Sequence, residues 1–207
     1  VYDFQKDIIT LARDISGEKP LYLYFHEKGF IFSSDLDSPS HLGMPSKEIN
    51  QTAINQLLKL NYIPAPLCIY KSTFKLPAAS YMSIDLKKFQ HKSANSFNDL
   101  VSSAGIEFQK FWSLPEQKEQ FNGLGSKLDL TAKTEQLLEE SIQMQQLSDV
   151  PIGAFLSGGI DSSLVVAIMQ KNASSKIKTF NIGFDFDGYD ESPYAEKIAK
   201  HLGTDHS

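Results

Sequence analysis

Several common features are scarce in this sequence. There is one cysteine, Cys68, which excludes an intrachain disulfide framework and suits a reducing, cytoplasmic setting. The longest strongly apolar run, Leu164 to Met169, is six residues, far short of the roughly 20 that cross a bilayer. Positive charge is not in excess: 20 Lys and Arg stand against 25 Asp and Glu, a formal net charge of −5. No basic stripe marks a nucleic-acid footprint. A charged segment followed by an apolar one is also lacking at the start, so no targeting signal is visible. Five histidines are scattered, and the close pair, His201 and His206, straddles a helix end and a glycine, which makes no zinc site without further ligands. What remains is the make-up of a folded globular protein, with 41% hydrophobic and 22% charged residues. At 207 residues the chain is long for one small domain and short for two complete ones.

The ends carry their own signal. Val1-Tyr2-Asp3 reads as the tail of a strand, and the chain stops five residues beyond Leu202, where a strand is expected to start. These features predict a fragment of a longer protein.

The first 36 residues predict a β-meander, with strands over Ile8–Arg13, Leu21–Phe25 and Phe30–Ser33 separated by polar turns. Short turns between such strands favour an antiparallel sheet. Residues 35–45 turn to Ser, Pro, Gly and His, a loop or domain edge. Helical spacing runs from Ile49 to Leu60 and ends before Pro64 and Pro66. A strand pair follows, Ile69–Phe74 and Ser80–Ile84, and then a polar, weakly patterned stretch, Lys87–Gln109, that predicts an extended surface loop. Leu128–Leu147 returns to helix, with Leu130, Thr134, Leu137, Leu138, Ser141 and Gln145 on one side. The last third reads strand (Ile152–Leu156), tight turn (Ser157–Ser163), helix (Leu164–Gln170), strand (Thr179–Phe184), then a helix with Ser192 as N-cap, Pro193 at its first position and Gly203 beyond its end. That alternation opens a parallel α/β sheet. The organisation expected is therefore 1–45, 46–127 and 128–207.

The chemistry concentrates in Ser157-Gly158-Gly159-Ile160-Asp161-Ser162-Ser163. Two glycines permit a turn that side chains would block. The helix that follows aims unsatisfied N–H groups into that turn, a geometry that collects an anion. Ser157, Ser162 and Ser163 can add hydroxyl donors, whereas Asp161 would repel a phosphate unless a cation lay between them, so Mg²⁺ is the natural mediator. A few charge-assisted hydrogen bonds of about 1.5–3 kcal/mol each could hold a pyrophosphate group. They would not supply the roughly 8 kcal/mol that a rate enhancement of ~10⁶ requires. Other readings of the loop fail on inspection. The Walker pattern needs Lys followed by Ser or Thr after its second glycine, and a hydrolase elbow needs Gly where this chain has Phe155. Gly123-Leu-Gly125 lacks the third glycine of the dinucleotide fingerprint. The plain alternative is an ordinary strand-to-helix turn.

Ser157-Gly-Gly-Ile-Asp-Ser-Ser163 resembles the pyrophosphatase loop of the adenine-nucleotide α-hydrolase-like superfamily, and the longer block Ser148–Ser163 resembles the glutamine-hydrolysing asparagine synthetase family. So do Thr179–Phe184, Tyr189–Ser192 and His201–His206, in that order. In the first half, Leu11-Ala-Arg-Asp14 with Gly17–Tyr22 resembles the late strands of a class II glutamine amidotransferase domain. Tyr62–Pro66, Ile69–Lys71, Lys75–Pro77 and Trp112–Leu114 resemble the connection between the two.

The resemblance implies an α/β chain of two partial domains: the end of an antiparallel amidotransferase-type sheet, then the start of a parallel, doubly wound synthetase domain. It also implies the reaction. ATP adenylates the β-carboxylate of aspartate with release of pyrophosphate, and ammonia from glutamine then displaces AMP to give asparagine. Carried over, Ser157, Gly158, Gly159, Ser162 and Ser163 would hold the pyrophosphate portion and Asp161 would ligate Mg²⁺. Leu156 and Ile182 would contact the adenosine. The family's nucleophilic N-terminal cysteine lies outside this chain, so no catalytic residue is assigned and the chain alone is expected to be inactive. The implied partners are aspartate, glutamine and ATP, with no nucleic acid, no membrane and room for a homodimer, in the cytoplasm. Rival readings are a relative that amidates another carboxylate and a nucleotide-binding module without turnover. A nucleotide- or transfer-RNA-modifying relative fits worse, given the amidotransferase-like first half and the missing basic surface.

Other candidates have plainer readings. Arg13 and Asp14 read as a structural pairing that fixes a turn, and Cys68 as a buried thiol. Asp185, Asp187, Asp190 and Glu191 read as a solvated acidic loop with a substrate-side role as the rival. Tyr22, Tyr24, Phe25, Phe30 and Phe32 read as sheet packing.

Overall fold

The structure, a computed structural model, describes residues 1–26, 29–39, 47–90, 94–114, 126–184 and 190–207. The expectations placed on residues 40–45, on Gly123 and Gly125, and on Asp185 and Asp187 lie outside the described residues. The chain divides into two compact units, residues 1–116 and 117–207.

In the first unit, β1 (Tyr2–Asp3) pairs antiparallel with β2 (Ile8–Arg13), so the opening residues are a strand as expected. β3 (Tyr22–His26) and β4 (Gly29–Ser33) form a hairpin. After α1 (Gln51–Leu60) come β5 (Thr73–Lys75), β6 (Ser80–Asp85), α2 (Phe97–Val101) and β7 (Ile106–Lys110). The strands make two antiparallel sheets, ordered β1-β2-β6-β7 and β4-β3-β5. The predicted meander is therefore corrected: β2 and β3 do not pair. The partner of β2 is β6, which sets Leu11 opposite Met82 and Ile9 opposite Ile84. Along β6 every second side chain, Ser80, Met82 and Ile84, turns inward, as the two-residue period of a half-buried strand requires. Leu11, Met82 and Ile84 of one sheet share a core with Leu23, Phe25 and Phe74 of the other.

Helix α1 starts where Asn50 accepts hydrogen bonds from the N–H groups of Thr52 and Ala53, and stops at Asn61 in the left-handed region. The loop expected over Lys87–Gln109 is the larger correction, since it contains α2 and most of β7. Ser96 caps α2. Phe97 stacks edge-on against Phe108 at 5.2 Å and against Phe74 at 5.9 Å, and Leu100 is buried. Few apolar residues occur in this stretch, but those present meet across the unit, which local periodicity does not reveal.

The second unit opens with α3 (Lys127–Gln145), whose start is fixed by a reciprocal capping box between Ser126 and Asp129. None of its side chains is buried. Leu130, Thr134 and Leu138 line a groove with Leu164 and Ile168, and Lys171 bonds both Glu135 and Glu139 at 2.9 and 2.8 Å. Then follow β8 (Gly153–Phe155), α4 (Ile160–Asn172), β9 (Lys178–Phe180), α5 (Ser192–Leu202) and β10 (Asp205–His206). The sheet order is β10-β9-β8, with both ladders parallel. Leu156, Val166, Ala195 and Ala199 form its core. Three boundaries differ from expectation. Helix α4 begins at Ile160 rather than Leu164, because Gly159 serves as N-cap; β9 ends at Phe180; and Glu191 rather than Ser192 takes the N-cap position of α5.

Candidate active site

Strand β8 carries the chain to Leu156, which is buried and donates its N–H to the Phe180 carbonyl at 2.8 Å. Gly158 then turns it, and no other residue fits there, for two separate reasons. Its φ is +79°, in the left-handed region, and a Cβ built on it would lie 2.7 Å from Cβ of Tyr194 and 2.9 Å from the Ala195 nitrogen. The turn is thus pressed against the first turn of α5. Gly159 caps α4 without any side-chain hydrogen bond, so that helix end keeps donors free of a side-chain acceptor.

Hydroxyl groups hold the turn in shape. Ser157 and Ser162 lie Oγ to Oγ at 2.9 Å, the Ser157 N–H donates to Ser162 Oγ at 3.3 Å, and the Gly159 N–H donates to Ser157 Oγ at 3.3 Å. Ser163 behaves differently: its Oγ is buried and has no hydrogen-bond partner. A buried hydroxyl without a partner costs about 1–3 kcal/mol. Ser163 is not among the residues that line the cavity beside this turn.

A cavity of about 590 Å³ opens at this point, walled by Ser157, Gly158 and Gly159 on one side and by Asp190, Glu191, Pro193, Tyr194 and Lys197 on the other. Its size suits a small ligand. The N-termini of α4 and α5 both reach it; α4 has no side-chain cap, whereas at the start of α5 the Ser192 N–H donates to Asp190 Oδ1 and Pro193 has no N–H to offer. The uncapped positive end of α4 favours an anion there. Ser162 is bonded to the wall through Ser157, and Leu156 lies at the end of the strand that delivers it. Asp161, in the first turn of α4, and Ile182, beyond β9, are both exposed and do not line the cavity.

Asn181, which the sequence reading did not single out, ties the site together with Ser192. Asn181 Nδ2 donates to the Leu156 carbonyl at 2.9 Å, and Asn181 Oδ1 accepts from Ser192 Oγ at 2.7 Å. One amide thereby links the end of β8, the end of β9 and the start of α5. An asparagine closing an apolar strand is out of place by strand preference, and that was the available signal. Ser192 also bonds Asp190, and these hydrogen bonds hold the Asp190 carboxyl below the usual carboxylate range. Asp190 and Glu191 therefore line the cavity.

The uncapped end of α4, which reaches the cavity at Gly159, is suited to a phosphate group. Among the described residues no group of three or more His, Cys, Asp or Glu could hold a metal ion. Mg²⁺ needs no such cage, because it keeps several waters and binds through one or two carboxylates plus substrate phosphates. No helix among the described residues is long and apolar enough to cross a membrane.

Comparison with known proteins places both halves. Residues 1–95 match the glutamine amidotransferase domain family and residues 133–207 the asparagine synthase family. The chain is 36% identical over 209 residues to "Putative asparagine synthetase (glutamine-hydrolyzing) 2" of Methanocaldococcus jannaschii, covering 100% of this chain and 37% of that protein. It is 28% identical over 206 residues to asparagine synthetase (glutamine-hydrolyzing) 1 of Bacillus subtilis, covering 99% of this chain and 29% of that protein. Against asparagine synthetase B (glutamine-hydrolyzing) of Escherichia coli the identity is 26% over 221 residues, covering 100% and 31%. The chain thus spans 29–37% of the length of these curated relatives. With an amidotransferase match followed in order by a synthase match, and one set of relatives carrying both, the chain belongs to the glutamine-hydrolysing asparagine synthetase family.

Proposed function

We propose that the protein is a glutamine-dependent asparagine synthetase, and that the cavity at the Ser157–Ser163 turn receives the phosphate tail of ATP. The observation that carries this reading is the cavity of about 590 Å³ at the turn, lined by Ser157, Gly158 and Gly159, where Gly159 is the N-cap of α4 and that helix has no side-chain cap. The second unit is then the start of a doubly wound, adenine-nucleotide α-hydrolase-like domain, a reading supported by its two parallel ladders and by a ligand turn at the strand C-termini.

In this assignment Ser157, Gly158, Gly159, Ser162 and Ser163 hold the pyrophosphate portion. Backbone at Leu156 and Ile182 meets the adenosine. Asp161, exposed in the first turn of α4, would hold Mg²⁺, which would offset phosphate charge. The chain's own part in the reaction is to fix the polyphosphate so that aspartate's carboxylate can attack the α-phosphorus and pyrophosphate can leave. Helix-end N–H groups and serine hydroxyls stabilise the charge that grows on that leaving group. Ammonia from glutamine then displaces AMP from the aspartyl adenylate. Aspartate, glutamine and ATP are the small-molecule partners, in a cytoplasmic setting that a free, buried Cys68 suits.

The test is the stoichiometry of protein expressed from the full reading frame. Incubated with aspartate, glutamine and Mg·ATP, it should form asparagine, AMP and pyrophosphate in equal amounts. AMP formed only with a different acid would move the reading to a relative of altered substrate. Tight Mg·ATP binding with no AMP from any carboxylate would show a binding module and end the ligase assignment.

A further inference from the structure

We propose that Lys197 is a polyphosphate contact of the nucleotide site, a cation supplied to the cavity from the face opposite the Ser157–Ser163 turn. This rests on the reading of that cavity as the nucleotide site.

The argument starts from what surrounds Lys197 on its own helix. Three and four residues before it stand Tyr194 and Pro193; three and four after it stand Lys200 and His201. No carboxylate occupies a position where a helical neighbour could neutralise it. Four of the described lysines pair with carboxylates, Lys6 with Asp3, Lys71 with Glu48, Lys88 with Asp85 and Lys171 with two glutamates, and Lys197 is not among them. Lys197 instead has its Nζ 5.8 Å from the centroid of the Tyr194 ring, a cation–π arrangement. Among the described residues it has no carboxylate within 4.0 Å.

Lys197 lines the cavity together with Ser157, Gly158 and Gly159. The other charged groups on the wall, Asp190 and Glu191, are acidic. Alone they would disfavour an anion that the end of α4 attracts. An unneutralised cation on the same wall offsets them, and an ammonium on a flexible stem is a compact point charge suited to phosphate oxygens. Tyr194 also lines the cavity: it lies where a Cβ on Gly158 would meet it, and its ring centroid is 5.8 Å from the Lys197 ammonium.

The role predicts a selective defect. Lys197 should matter for ligands that extend past the α-phosphate and not for those that end there. In protein expressed from the full reading frame, Lys197→Met should weaken inorganic pyrophosphate and ATP about tenfold, with AMP affinity changed less than about twofold. Tenfold corresponds to about 1.4 kcal/mol. Lys197→Arg should recover most of the loss, and raised salt should narrow the gap between wild type and K197M. Hydrogen exchange on the wild type separates the two levels of the claim. Absence of Mg·ATP protection over 157–163 would overturn both the nucleotide reading and this inference. Protection with pyrophosphate affinity unchanged in K197M, or with ATP and AMP weakened equally, would overturn the Lys197 inference alone.

Discussion

Two strand exits in this molecule turn on a glycine, and they are finished in opposite ways. At the end of β2, Gly17 has φ +67°; at the end of β8, Gly158 has φ +79°. Around Gly17 the polar groups are used up. Arg13 donates to three carbonyls, from Nε to Lys19 at 2.9 Å, from Nη1 to Leu76 at 2.8 Å and from Nη2 to Gly17 at 2.6 Å. Asp14 Oδ1 accepts from the N–H groups of Gly17 and Glu18, and its carbonyl accepts from Ala79. Around Gly158 the hydroxyl groups of Ser157 and Ser162 brace the turn, but the helix beyond it is uncapped and Ser163 Oγ is left without a partner. Native structures satisfy buried polar groups almost throughout, so a turn that does not is the more informative of the two. The first turn joins two sheets and asks for nothing more. In the function proposed for this protein, the second turn receives a ligand.

Paired substitutions break or sharpen this contrast, and the largest effect belongs to Gly158→Ala. The added Cβ meets Cβ of Tyr194 at 2.7 Å and must also sit at positive φ. Backbone strain of this kind costs about 1–3 kcal/mol, and moving α5 away would open the cavity. Nucleotide affinity is expected to fall at least about 100-fold, roughly 2.7 kcal/mol by calorimetry. Gly17→Ala, where a Cβ meets Ala78 and Arg13 at 3.0 Å, should lower the melting temperature and leave nucleotide binding alone. Equal nucleotide affinities in the two variants would erase the distinction between a structural turn and a ligand turn. Next in size is Arg13→Met. It strips the guanidinium from three carbonyls, one of them on the fully buried Leu76. The loss should be about 1–3 kcal/mol in stability, with ATP affinity unchanged.

The same contrast explains what was legible in the sequence. The phosphate-type turn was readable because Ser-Gly-Gly followed by Asp-Ser-Ser is a local pattern, and strand, glycine and helix start need no distant partner. Arg13 and Asp14 were readable as turn-fixing residues but not as to how: they bond the backbone of the turn and of residues some 60 positions away, rather than each other. The β2–β6 pairing escaped for the same reason, since its register joins Ile8 to Asp85 across most of the unit. So did β7, whose register sets Phe108 opposite Met82 and Ile106 opposite Ile84 of β6. Asn181 and Lys197 matter by where α5 lies against β8 and β9, and no spacing rule along the chain encodes that approach.

The smallest expected effect is a pH dependence, and it belongs to the saturated turn. The N–H groups of Glu18, Gly17 and Ser16 hold the Asp14 carboxyl below its ordinary value. A carboxylate whose pKa is lower in the folded than in the unfolded state stabilises the fold above the unfolded pKa of about 3.9. That contribution disappears as the pH falls through the lower folded value. The difference in melting temperature between wild type and Asp14→Asn should therefore be constant above about pH 5 and shrink toward zero below about pH 3. Using the difference removes the other carboxylates, which both proteins share. No such acid step is expected from the Ser157–Ser162 contact, because hydroxyl groups do not titrate in this range. A wild-type advantage as large at pH 3 as at pH 7 would mean that Asp14 holds its turn by shape, and the contrast between the two turns would then rest on Arg13 alone.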